Sequence, residues 1–159
     1  MSAAESRVTG PLHFEDLALE MEWSSGSRTV TEADIVAFAG VSGDFNPIHV
    51  SAVHAVTTAF GQRIAHGALV LAIATGLRQQ EGRFRGTLKA WLGIDGWRFR
   101  APVLIGDTVT VVNRIAALER REGKGDGLVT QRVRVVNQRD EVVAEGDFLT
   151  LMSCRQAAG

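Results

Sequence analysis

His66-Gly67-Ala68-Leu69-Val70-Leu71-Ala72-Ile73-Ala74 is the stretch on which the fold turns. From Ala68 to Ala74 the run is apolar on every side, and a helix with no polar face has to be buried all round. The run predicts a core helix from Gly67 to about Gln79. Its economical cover is a sheet curled around it. The first amides of such a helix have no partners within it and are free to face a pocket. Just upstream, Ser42-Gly43-Asp44-Phe45-Asn46-Pro47-Ile48-His49 puts two groups able to trade protons at neutral pH, Asp44 and His49, on one short loop. Composition makes that loop stiff. Gly43 permits unusual backbone angles, Pro47 fixes its own φ, and Pro47 pushes Asn46 away from helix.

Upstream of the loop, Thr31 has the character of an N-cap, followed by Glu32 and Asp34 in a first helical turn and by Ile35, Val36 and Phe38 at helical spacing; Gly40 closes that helix. Phe14 to Trp23 alternates Leu17, Leu19, Met21 and Trp23 with charges, which predicts a strand half buried on one face. Residues 1–10 and 155–159 read as loose tails on a single domain. Downstream of the loop, Ser51 caps a second predicted helix through Ala59, and Arg63 to Ala65 is an extended link.

The remainder is β-rich. Leu88–Arg100, Asp107–Leu118, Leu128–Gln138 and Val142–Ser153 are strand candidates separated by turn signals, among them Glu122-Gly123-Lys124-Gly125-Asp126-Gly127. That glycine-rich loop lacks the spacing and the Lys-Ser/Thr pair of a phosphate-binding loop and reads as a hairpin turn. Early helices and late antiparallel strands define an α+β domain.

The 17 Lys+Arg and 18 Asp+Glu of the 159 residues nearly cancel, so bulk electrostatics argues for neither a nucleic-acid nor a membrane partner. The single Cys154 rules out an internal disulfide and fits a reducing compartment. No signal-peptide core is visible, and the longest apolar run is about half a membrane span. A cytoplasmic protein is the expectation.

Several chemistries drop out on spacing. The loop begins like a calcium site, but Ile48 and Ala55 stand where oxygen ligands belong. The histidines at 49, 54 and 66 lack metalloprotease spacing and the one cysteine is remote, so no metal is expected. Ser42 is not flanked as a nucleophile elbow requires, and no dinucleotide fingerprint is present. No cofactor is called for. What remains is a carboxylate and an imidazole able to orient one water while one of them removes its proton.

The blocks Ser42-Gly43-Asp44-Phe45-Asn46-Pro47-Ile48-His49, Thr57-Thr58-Ala59-Phe60-Gly61, Ile64-Ala65-His66-Gly67 and Phe99-Arg100-Ala101-Pro102-Val103 with Gly106-Asp107 closely resemble the MaoC-like dehydratases, which include the (R)-specific enoyl-CoA hydratases. The resemblance implies a hot-dog fold, a long helix wrapped by a curved antiparallel sheet, and a homodimer or dimer of dimers. It also implies hydration of a trans-2-enoyl-CoA to a (3R)-hydroxyacyl-CoA. Asp44 and His49 fall on the catalytic pair, and Gly67 on the backbone donor to the thioester oxygen. Such a donor is worth about 2.7–4 kcal/mol. Ser51, where the family often has Asp, and His54, where it has an aromatic or apolar residue, are departures.

Candidate substrate-binding residues are Asn46 within the matched block, Thr75 two turns beyond Gly67, and Arg98 and Arg100 for the CoA phosphates. His66 reads as a structural residue packed under the loop, His54 as a helix-surface residue, and Trp23, Trp91 and Trp97 as packing. Alternative substrates are an acyl-carrier-protein thioester or a branched dicarboxylyl-CoA. The alternative from another class is a non-catalytic acyl-thioester-binding subunit.

Overall fold

A computed structural model describes residues 10–155. The strands are β1 (Glu22–Thr29), β2 (Leu88–Phe99), β3 (Thr108–Arg121), β4 (Asp126–Val136) and β5 (Val142–Ser153). They form one antiparallel sheet in the order β1-β3-β4-β5-β2. The helices are α1 (Glu32–Ser42), α2 (Pro47–Val50), α3 (Ala52–Ala55) and α4 (Gly67–Gln80). Of the expected tails, most lies outside the described residues. Arg155, expected in one of them, is anchored: its N–H reaches Glu15 Oε2 at 3.0 Å and its guanidinium Asp16 Oδ2 at 2.7 Å.

Valines drive the layer packing. Val109, Val111, Val133 and Val135 alternate toward one face of the sheet and meet Leu69, Val70, Ile73, Ala74 and Leu77 of α4, all buried. Each such Val, Leu or Ile side chain contributes about 1.5–3 kcal/mol on burial. Burial of α4 is not all-round, however. Ala68, Ala72 and Gly76 form an exposed stripe along its outer side. The run is apolar there because its residues are small, a feature that hydropathy does not separate from core.

The four late strands lie within a few residues of expectation, and the hairpin turn shrinks because Asp126 and Gly127 pair into β4. The first strand is displaced. Phe14–Asp16 is a single 3-10 turn, His13 N–H bonding Asp16 Oδ2 at 2.8 Å, and the strand runs from Glu22 to Thr29. Of the expected buried face, Leu17 and Trp23 are buried, in a satellite cluster with Phe14, Phe84, Ile115 and Met152, Met21 is half-buried against it, and Leu19 is exposed. The Ser- and Gly-rich half of β1 carries no alternation. It is held by pairing with β3, aided by hydroxyl contacts Ser27–Thr110 at 2.7 Å and Thr29–Thr108 at 2.8 Å.

Thr31 caps α1 in a reciprocal box with Asp34. The helix passes Gly40 and ends at Ser42, where Gly43 (φ 76°) takes the left-handed cap and donates to Ala39 O at 2.9 Å. Of the expected helix from Ser51 to Ala59 only α3, Ala52–Ala55, forms, and the chain turns from Val56 onward. Ser51 accepts from His54 N–H at the start of α3, and α2 precedes it.

Candidate active site

Local hydrogen bonds set the loop between α1 and α2. Ser42 Oγ donates to Phe38 O (2.7 Å) and accepts from Asp44 N–H (3.2 Å). Asp44 Oδ1 accepts from Asn46 N–H (3.1 Å), and Asn46 Oδ1 accepts from Ile48 N–H (3.2 Å), capping α2 with Pro47 at its first position. These side chains take over backbone groups that the turn leaves open. His49, in the last turn of α2, makes a 2.8 Å contact from Nδ1 to Ile64 O. A carbonyl oxygen only accepts, so Nδ1 carries a proton and Nε2 is the nitrogen left to exchange one. Nε2 stands 3.9 Å from Asp44 Oδ2. The His49 side chain is 12% exposed and that of Asp44 52%. The Ile64 acceptor is itself fixed, because Ile64 bridges Leu104 and Ala65 N–H bonds Val103 O at 2.8 Å.

Gly67 is the first residue of α4. Its N–H has no partner among the described residues and sits at the positive end of the helix dipole. A cavity of about 400 Å³ opens beside it, lined by His49, Phe60, Val70, Phe99 and Arg100 among others. A Cβ on Gly67 would stand 2.6 Å from Phe99 Cζ, so the ring of Phe99 occupies space that only glycine leaves.

His49 and Gly67 line one cavity, and Asp44 stands beside His49, outside that lining. Arg100 lines the cavity but is already paired with Glu145 at 2.8 Å. Asn46 serves the loop through its Oδ1. Thr75 does not line the cavity; its hydroxyl donates to Ala72 O at 2.7 Å, the bond back into its own helix that competes with any ligand. Arg98 is exposed, off the cavity, and bonded to the Trp97 carbonyl at 3.0 Å. The sequence reading missed Phe60, Val70 and Phe99. Phe60 and Phe99 stand inside quoted blocks, and their aromatic character was the available signal.

Asp44, His49 and His66 offer donor atoms within 4.8 Å of one another. The two imidazoles are stacked, 3.8 Å between centroids at 26°. Ring nitrogens bind a metal in the ring plane, and two near-parallel planes do not converge on one ion, so the trio is poorly shaped as a cage.

Five antiparallel strands curled against one long helix, with a polar loop at that helix's start, define a hot-dog protein. The chain belongs to the MaoC-like domain family, whose sequence model matches residues 18–138. It is similar to an (R)-specific enoyl-CoA hydratase of Aeromonas caviae, 37% identical over 67% of this chain and 76% of that one. It is also similar to a 3-hydroxybutyryl-CoA dehydratase of Methylorubrum extorquens, 33% identical over 92% and 88% of the two chains. A Mycobacterium tuberculosis protein with a double hot-dog fold matches it in shape with a TM-score of 0.80, at 22% identity, over 96% of this chain and 48% of that one. Among the described residues no helix is long and apolar enough to cross a membrane.

Proposed function

We propose that this protein is a hydro-lyase that adds water to a trans-2-enoyl-CoA, or removes it in reverse, to form a (3R)-hydroxyacyl-CoA. The observation that carries the reading is a cavity lined by both His49 and Gly67, whose N–H has no partner among the described residues, with Asp44 Oδ2 standing 3.9 Å from His49 Nε2. The separation is too long for a direct hydrogen bond and suits one water touching both groups. In the hydration direction that water gives its oxygen to C3 and a proton to the pair. Charge moves onto the thioester oxygen, where the Gly67 N–H at the helix start stabilises the enolate. A proton then returns to C2. The names of the relatives, a hydratase and a dehydratase of CoA thioesters, support the same reaction read in its two directions. With crotonyl-CoA, the enoyl absorbance is expected to fall without release of free thiol. Thiol release with the double bond retained would contradict the proposal.

The working unit in this reading is a homodimer or a dimer of dimers. Two uncovered features support it: β2 is a sheet edge carrying exposed Trp91, Leu92 and Phe99, and α4 exposes its Ala68, Ala72 and Gly76 stripe. Edge strands left open are otherwise a liability. Light scattering on active protein is expected to give at least twice the chain mass; an active monomer would count against it.

A further inference from the structure

His66 stands at the N-cap of α4, yet its side chain makes no cap bond to that helix. Instead Nε2 lies 2.9 Å from the backbone carbonyl of Asp44, which can only accept, so Nε2–H is the donor. The same ring forms the face on which the His49 imidazole stacks, at 3.8 Å, and Phe38 of α1 holds it from another side at 5.1 Å. The residue is 2% exposed, and Nδ1 is buried with no hydrogen-bond partner among the described residues.

That unpartnered nitrogen is informative. Leaving a buried polar atom unmade costs free energy, and phenylalanine would fill the space and stack as well without that cost. What histidine adds over phenylalanine is one N–H, and that N–H goes to Asp44. Building on the hydratase reading above, we infer that His66 is the positioning residue of the proton-transfer pair. One side chain ties the main chain of Asp44, seats the ring of His49, and belongs to the residue immediately before Gly67. The two sides of the reaction, the water-holding pair and the oxyanion donor, are thereby referenced to a single rigid group. His66 touches neither water nor substrate in this account; it acts through Asp44 and His49.

Two substitutions separate the contributions. His66→Gln keeps an amide N–H the same number of bonds from Cα but loses the ring; His66→Phe keeps the ring and loses the N–H. Both are expected to fold with thermal midpoints near that of the parent. On crotonyl-CoA, His66→Phe is expected to lose about 10²-fold in kcat with KM changed less than about threefold, the effect of misplacing reacting groups by about 1 Å. His66→Gln is expected to restore at least about tenfold of that loss. A folded phenylalanine variant with parental kcat would overturn the inference, as would a glutamine variant no better than phenylalanine. Loss of the fold in either would overturn it too, by showing that histidine serves core stability. If the parent itself fails to hydrate crotonyl-CoA, the activity reading falls separately. The placement is still tested by a crystal structure of His66→Phe, in which the Asp44–His49 separation is expected to open by about 1 Å. An unchanged separation would overturn the inference.

Discussion

The two ends of α4 each carry a cluster of polar side chains, and they are built on opposite principles. At the N-terminal end, Asp44 is half exposed, His49 faces a cavity, and the pair is separated by 3.9 Å. Eleven residues later, about 16 Å along the axis at ~1.5 Å per residue, Arg78 is only 8% exposed and no carboxylate among the described residues pairs with it. Its guanidinium is held by neutral groups: Nε donates to Asn113 Oδ1 at 2.6 Å, an Nη2 hydrogen bond goes to Gln131 Oε1, and the ring of Phe148 lies 4.6 Å away. Burial pulls the Arg78 pKa down to about 10. The first cluster keeps polar groups near water and each other with room between them. The second holds its one charge on short contacts to neutral groups, with only Asn113 Nδ2 of that cluster left without a partner among the described residues. A polar group in the core does structural work when its partners are already in place, and invites a ligand when they are held apart.

The largest effect expected from breaking this contrast is at the open end. Asp44→Asn and His49→Gln keep shape and remove proton transfer, and each is expected to lower hydration by about 10²–10⁴-fold with the fold intact. Near-parental turnover in either variant would remove the basis for calling this end catalytic.

Next comes Gly67. Proline is tolerated at a first helical position and deletes the N–H, so Gly67→Pro is expected to lower kcat by about 10²–10³-fold. Alanine keeps the N–H but places a Cβ 2.6 Å from Phe99 Cζ, a contact proline shares. Alanine therefore measures the displacement of Phe99, and the donor's share is the proline loss beyond it. Equal damage from both substitutions would assign the glycine to the close approach of Phe99 and not to the oxyanion.

The smallest effect on turnover is expected at the closed end. Arg78→Met leaves Asn113 Oδ1 and Gln131 Oε1 without their donor and is expected to cost about 1–3 kcal/mol of stability while kcat changes less than about threefold. Adding Asn113→Val and Gln131→Leu is expected to recover most of that loss, because a buried polar cluster exchanged whole for apolar groups is often neutral. The sign with pH follows from the lowered pKa. The charged form is the costly one in the fold, so the stability of the parent relative to the methionine variant rises as pH climbs above about 10. A turnover loss in Arg78→Met as large as that at Asp44 would erase the distinction between the two ends.

The open end was legible in the sequence because its bonds are short in sequence. Ser42, Asp44, Asn46 and Ile48 bond at separations of two to four residues, and Gly43 and Pro47 announce the turn by type. The cap of α1 and the Val-rich strands were readable for the same local reason. Arg78 was not readable, since its partners lie 35 and 53 residues away and neither has a pattern that names it. Thr75 was placed in the site by its helical spacing from Gly67 and Arg98 by its charge; the first bonds back into its own helix and the second is exposed on β2. His66 was expected to be structural. Its stacking on His49 is consistent with packing under the loop, and its bond to Asp44 O is a contact that required both segments in space. The first strand failed because Ser24, Ser25, Gly26 and Ser27 carry no periodic signal and depend on β3 for their conformation.

The most direct test of the central claim, one water held jointly by Asp44 and His49, is a double-mutant cycle on hydration of crotonyl-CoA. Groups that act as a unit on one molecule are lost together, so the Asp44→Asn/His49→Gln double variant is expected to be little slower than the slower single variant. Losses that multiply, the double variant slowed by the product of the two single factors, would show that the carboxylate and the imidazole work independently and would contradict the account.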